Sequence, residues 1–129
     1  MKFTVALLAC AATAHAADCP KAGDFAQAHL IGTWRGSVEG AGPVSIKLEK
    51  HPEFAETVRG FLERDGKRVA LAGDVDDGEL TLEESADGTH ISAAWLGDVV
   101  EGSCGREIRG TWKAEGAPQQ RPFVLEKQP

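Results

Sequence analysis

Glu63–Gly88, ERDGKRVALAGDVDDGELTLEESADG, is the stretch from which the fold can be read. It holds three Asp-Gly dipeptides, Asp65-Gly66, Asp77-Gly78 and Asp87-Gly88, at intervals of twelve and ten residues. A type I′ turn needs positive φ at both central residues, and Asp-Gly supplies this at low steric cost. Between the dipeptides lie Arg68–Val75, rich in small apolar residues, and Glu79-Leu80-Thr81-Leu82-Glu83, which alternates strictly. Strict alternation marks a strand with one face buried and one in solvent. The stretch therefore reads as antiparallel strands joined by tight turns.

The same rhythm extends in both directions. Upstream, Ile31–Val38 is a first strand, Val44–Lys50 a second that would bury Val44, Ile46 and Leu48, and Phe54–Leu62 a third. Downstream follow His90–Trp95, then a broad break over Gly97–Gly102, then Cys104–Lys113 and Pro122–Glu126. Asp24–Leu30 suits one or two helical turns with Asp24 as N-cap. That gives eight strands and no long helix for parallel crossovers. A φ-Arg-Gly-x-φ frame recurs at Trp34–Val38, Val58–Leu62 and Ile108–Trp112. A glycine inside a strand marks a bulge or sharp bend, and bends at hairpin spacing let an up-and-down β-barrel curl shut. The expectation is an all-β, eight-stranded antiparallel up-and-down barrel over residues 31–129, after an N-terminal segment 17–30 with a short helix. A two-sheet β-sandwich is the alternative.

The first sixteen residues read as a signal peptide: Lys2 as the n-region charge, an apolar run from Phe3 to Ala12, and Ala14-His15-Ala16 as cleavage site. The run is too short to span a bilayer. Leu7-Leu8-Ala9-Cys10 resembles a lipoprotein box, but lipidation at Cys10 would leave a very short apolar region. Cleavage would leave 113 of the 129 residues and change the net charge from −6 to −7, since the leader carries only Lys2. An acidic surface makes nucleic acid and anionic membranes poor partners. Of three cysteines, Cys10 would leave with the leader, so Cys19 and Cys104 should form one disulfide in an oxidising compartment. The expected location is periplasmic or secreted. Abundant Ala, Gly, Glu and Arg, with no Asn or Tyr, fits a bacterial exported protein and leaves no N-glycosylation site.

Gly32-Thr33-Trp34-Arg35-Gly36, opening the first strand after a helical turn, resembles the start of the calycin barrels: lipocalins, fatty-acid-binding proteins, avidins and nitrobindins. The resemblance implies that Trp34 plugs one end of the barrel, with Arg109 or Arg121 as its packing partner. Nitrobindins place their haem-ligating histidine near the C-terminus, and this chain has no His after His90, so the resemblance does not extend to haem. Avidin pockets use Tyr and Asn, which are absent.

Candidate sites are sparse. Trp95, Trp112 and Phe61 are the aromatic candidates for contacting a ligand. Asp74, Asp76, Asp77 and Glu79 could offer oxygens to calcium, but the glycine comes fifth rather than sixth and the twelfth-position Glu of an EF-hand is missing. A hairpin turn with solvated acids accounts for them. His29, His51 and His90 lack the short spacing of a zinc site. Ser37, Ser45, Ser85, Ser92 and Ser103 include no G-x-S-x-G elbow. Glu83 and Glu84, as strand neighbours, cannot face the same cleft. No catalytic residue, cofactor or metal is assigned. The expected function is an exported non-catalytic binding protein that takes a small apolar or amphipathic ligand at the open end of its barrel. The alternative is a protein-interaction domain, such as a periplasmic hydrolase inhibitor or immunity protein.

Overall fold

A computed structural model describes Lys2, Thr4 and residues 19–129. The signal-peptide reading and Cys10 therefore fall almost wholly outside the described residues. Eight strands form a closed antiparallel barrel in sequential order: β1 Gly32–Val38, β2 Gly42–Lys50, β3 Val58–Arg64, β4 Lys67–Asp76, β5 Glu79–Ser85, β6 Ala93–Val99, β7 Glu107–Ala114 and β8 Arg121–Lys127. Closure is made by β1 against β8, with Gly36 opposite Leu125, which leaves no free sheet edge.

Two of the three Asp-Gly dipeptides are the tight turns expected. Asp65-Gly66 joins Arg64 to Lys67 with φ of 52° and 73°, and Asp77-Gly78 joins Asp76 to Glu79 with φ of 48° and 80°. The third differs. Asp87-Gly88 lies in a longer connection between β5 and β6, where the Asp87 carboxylate accepts from the amides of Thr89 and His90, both at 2.8 Å. Side-chain capping of a loop has replaced the two-residue turn. Three strands also shift, one of them β7, which begins at Glu107 rather than Cys104 because residues 104–106 belong to the preceding turn. Residues 54–57 are loop, folded around His51 Nδ1, which accepts from the amides of Glu53 and Phe54. Strand β6 runs through Gly97 to Val99 rather than ending at Trp95, with Gly97 in register with both Leu80 and Gly110.

The glycines of the recurring frame stand where a neighbouring strand comes closest. A Cβ on Gly60 would lie 1.7 Å from the Lys47 carbonyl oxygen, and one on Gly110 would lie 1.9 Å from that of Leu96. No side chain fits there, so these positions allow the strands to bend and the wall to close.

Inward positions are apolar and fill the lumen: Trp34 and Val38 on β1, Val44, Ile46 and Leu48 on β2, Leu62 on β3, Leu80 and Leu82 on β5, Trp95 on β6, Ile108 on β7, and Phe123 and Leu125 on β8. Trp95 meets Phe123 edge-on, with centroids 4.8 Å apart. One end is plugged by the N-terminal segment. A 3₁₀ turn Ala22–Asp24 and a single α turn, α1 Gln27–Leu30, bury Phe25 and Leu30 against Trp34. Asp24 does not cap α1; the amide of Ala26 instead donates to His29 Nδ1 at 2.9 Å. Cys19 and Cys104 are bonded, which ties this segment to the β6–β7 connection.

Candidate functional site

The plug end shows how Trp34 is held. Its indole Nε1 donates to the Leu30 carbonyl at 2.9 Å, closing the first turn of chain over the ring. The cation beside it is Lys127, whose ammonium sits 5.8 Å from the ring centroid and donates to the His29 carbonyl. Neither arginine expected there takes this place. Arg109 points outward from β7 and pairs with Glu107, and Arg121 lies exposed at the other end of β8, donating to the Glu39 carbonyl. The physical reasons are parity for Arg109 and position along the strand for Arg121, which shares the inward parity of β8 but lies at its other end. Inward positions on β8 are Phe123, Leu125 and Lys127, so a lysine closes that row, and Arg109 flanks the inward Ile108. Desolvation holds the Lys127 ammonium below the ordinary lysine pKa, with the nearby Arg106 charge adding to the shift.

The opposite mouth holds the one buried charged group of the lumen among the described residues. On β5 the inward row reads Leu80, Leu82, Glu84, and Glu84 is only 3% exposed. Glu83 faces outward, as neighbours on a strand must. Glu84 Oε1 accepts from Arg64 Nη1 at 3.2 Å, and Oε2 accepts from Arg64 Nη2 at 3.3 Å, Trp95 Nε1 at 2.8 Å and Trp112 Nε1 at 2.7 Å. Arg64, 19% exposed, closes the mouth with its guanidinium 5.2 Å from the Trp112 ring centroid. Its Nε–H is buried without an acceptor.

This arrangement limits what the lumen can do. A carboxylate offers about two lone-pair directions on each oxygen; here three donors converge on Oε2 and one reaches Oε1. At 3% exposure, Glu84 is reached by a cation or a substrate only if part-buried Arg64 or one of the two buried indoles moves aside. The arrangement suits structural anchoring of the mouth rather than chemistry. Trp95 and Trp112 do come together, as expected of site partners, but their polar edges point at Glu84 rather than at open space. Phe61 is apart from them. It faces outward from β3, 48% exposed, with the Arg68 guanidinium 5.0 Å from its ring centroid.

Surface hollows lie on the outside of the wall. One of about 380 Å³ is lined by Thr33, Ser45, Lys47, Glu49, Phe61 and Arg68 on the β1–β4 side, and one of about 200 Å³ by Ala72, Asp74, Thr81 and Glu83 across β4 and β5. The calcium candidates spread over this outer wall. Asp74, Asp76 and Glu79 project from strands and Asp77 sits in the turn. Among the described residues, no three His, Cys, Asp or Glu side chains converge on a metal-sized point. His29 and His51 cap turns, as described above. The amide of His90, then its ring Nδ1 at 2.8 Å from Oδ2, then the amide of Thr89 hold the Asp87 carboxyl well below its usual pKa.

The mouth cluster was missed in the sequence although a signal existed. Leu80-x-Leu82-x-Glu84 and Val58-x-Gly60-x-Leu62-x-Arg64 place opposite charges on inward rows of strands that end at the same mouth. Pairing of β5 with β6 and of β6 with β7 brings the two tryptophans onto them.

Comparison with known proteins agrees on shape alone. No protein-family model matches the chain, and no curated protein matches it. A solved structure of a redesigned β-barrel is similar to it, with a TM-score of 0.50 and 12% identity, over 79% of this chain and 94% of that one. At that identity the likeness shows a small closed barrel and nothing about function.

Proposed function

We propose that this chain is an exported, non-catalytic protein-interaction module whose working surface is the outside of its barrel. The observation that carries this reading is the filled lumen: large apolar side chains occupy its length, and its buried acid is held by four donors from Arg64, Trp95 and Trp112. A barrel that encloses a ligand needs interior space, whereas a filled one offers its outer wall and loops. The disulfide and the leader-like first sixteen residues support export. The calycin-like opening at Gly32–Gly36 is compatible with this use, since Trp34 serves as an end plug.

The test combines two measurements on the purified mature chain. A tagged copy mixed with envelope extract of the producing organism should retain a discrete protein, and that protein once purified should bind again in isolation. Titration with fatty acids and other apolar small molecules should leave Trp95 and Trp112 fluorescence unchanged. Strong quenching by a small molecule, with no protein retained, would reverse the reading in favour of a ligand carrier.

A further inference from the structure

Charge is segregated along this chain. Val69–Gly105 carries nine carboxylates and no Lys or Arg, whereas the rest of the sequence sets all 14 basic residues against 11 acidic ones. The fold turns that segregation into a surface. Outward positions on β4 after Arg68 are Ala70, Ala72, Asp74 and Asp76; on β5 they are Glu79, Thr81, Glu83 and Ser85; on β6 they are Ala94, Leu96 and Asp98. Register then sets Asp76, Glu79 and Asp98 in one row, Asp74, Thr81 and Leu96 in the next, and Ala72, Glu83 and Ala94 in a third.

Charge separates this wall from the rest of the barrel, and its shape suits contact with a partner. Elsewhere basic residues lie among the acids, with Arg59 on Glu49 at 3.3 Å, Arg68 on Glu63 at 3.1 Å and Arg109 on Glu107 at 3.1 Å, whereas Asp74, Asp76, Glu79, Glu83 and Asp98 share a wall without Lys or Arg and have no ion-pair partner among the described residues. The side chains between the acids are short, so the wall is smooth, with a hollow of about 200 Å³ between Ala72, Asp74, Thr81 and Glu83. Leu96 stands near its middle, 47% exposed, where a solvated strand position would ordinarily carry a polar side chain.

We infer that the β4–β6 wall, centred on Leu96 and framed by Asp74, Asp76, Glu79, Glu83 and Asp98, is the docking face for a basic protein. Its occupant presents Lys or Arg side chains around an apolar contact. The unpaired acids draw a cationic surface in and fix its orientation, and the flat apolar centre is the part that dries on contact. A second copy of this chain is disfavoured, since two such walls repel. This inference rests on the protein-interaction reading above and narrows it to one face and one class of partner.

The experiment places the photo-crosslinking residue p-benzoylphenylalanine at Leu96 and, separately, at Arg35, which faces outward from β1 on the far side of the barrel. Each variant is expressed and irradiated in the producing organism. The expected result is an adduct from position 96, absent from position 35, with one protein that is basic. That protein, purified, should bind the unmodified chain at least tenfold more weakly in 300 mM than in 50 mM NaCl. The triple variant D74K/E79K/E83K should lower its affinity by at least tenfold with the melting temperature held within a few degrees. An adduct from position 35 alone overturns the docking face and leaves the interaction module standing. No adduct from either position, together with no protein retained from extract, overturns both. An acidic partner, a second copy of this chain, or an affinity indifferent to salt also overturns the inference.

Discussion

Replacing Glu84 by Gln tests the reading of the mouth directly. Glu84 is 3% exposed and Arg64 19% exposed, so solvent screens their pairing only weakly. In Glu84→Gln the side chain keeps its size, and the remaining carbonyl oxygen can still accept from Trp95 and Trp112, whose bonds of 2.8 and 2.7 Å are the shortest in the cluster. What disappears is the charge opposite Arg64, and the new amide N–H₂ faces a guanidinium that has only donors. Breaking a buried pair by removing one partner costs about 3–5 kcal/mol. The partial exposure of Arg64 lets water take up some of its charge, which places the expected loss near the lower end, about 3 kcal/mol. A second change then makes the prediction sharp. Arg64→Met removes the stranded cation and keeps a long apolar side chain over Trp112, so Arg64→Met/Glu84→Gln should regain about 1 kcal/mol or more over Glu84→Gln alone. Urea unfolding followed by tryptophan fluorescence and by far-ultraviolet circular dichroism measures both differences. If Glu84→Gln lies within about 1 kcal/mol of the parent, or the double variant is less stable than the single, the mouth is not held by this ion pair and the argument fails.

Other expectations follow from particular residues. Gly60→Ala puts a methyl group on the Lys47 backbone and should cost about 3 kcal/mol, whereas Gly66→Ala, at a turn with open space but φ of 73°, should cost about 1 kcal/mol; equal losses in urea unfolding would refute the close-approach account. Replacing Cys19 and Cys104 by Ser frees a loop spanning 85 residues, for which chain entropy gives a loss on the order of 4 kcal/mol, and hydrogen exchange should rise first at Phe25 to Leu30. Asp87 has a folded pKa below its unfolded value, so its contribution is present above the ordinary Asp value of 3.8 and is lost as pH falls below it. Asp87→Ala should therefore flatten the acid limb of the stability profile, and an unchanged limb would sink this assignment. Lys127 is the reverse case. Its folded pKa lies below the unfolded one, so the folded state binds fewer protons between the two, and stability should rise with pH as Lys127 discharges. Lys127→Met should lose that alkaline rise in thermal melts.

The strands were legible because one face of each is buried and the period of two is written in the chain. Glu79–Glu83 and Val44–Lys50 show this with no interruption, and the structure places their Leu, Ile and Val positions inward. The Asp-Gly turns were legible where the residues on both sides could pair directly. At Asp87 the side chain found amides of its own loop to cap, and dipeptide chemistry does not foresee that competition. The extent of β6 was hidden because Gly97 reads as a break. In the barrel it is the point where Gly110 of the next strand comes close, and only pairing across strands distinguishes the two. The mouth cluster and the cation at Trp34 were hidden for the same reason. Glu84 meets Trp112 across 28 positions, and Lys127 meets His29 across 98. Parity along each strand gave the side each residue faces, but not which strand ends share a rim. The resemblance at Gly32–Gly36 implied an arginine beside Trp34; Trp34 is buried beneath Phe25 and Leu30, and the cation beside it is Lys127, because the inward row of β8 ends in a lysine.

Two ties join early residues of this barrel to late ones. Strand β1 is flanked by β8, and Cys19 is bonded to Cys104. On a ribosome or in a translocation channel the N-terminal end emerges first, so β1 must wait with one side unpaired until nearly the whole chain has followed. Closure is therefore a late event set by the order of synthesis rather than by local propensity, and such distant contacts are slow to form. A chain cut short before Arg121 would lack β8 and leave β1 and β7 each with an open edge. Two unpaired edges on one molecule are a template for chain-to-chain pairing. The last seven-residue strand thus decides whether the product is a closed barrel or a sheet with two open edges.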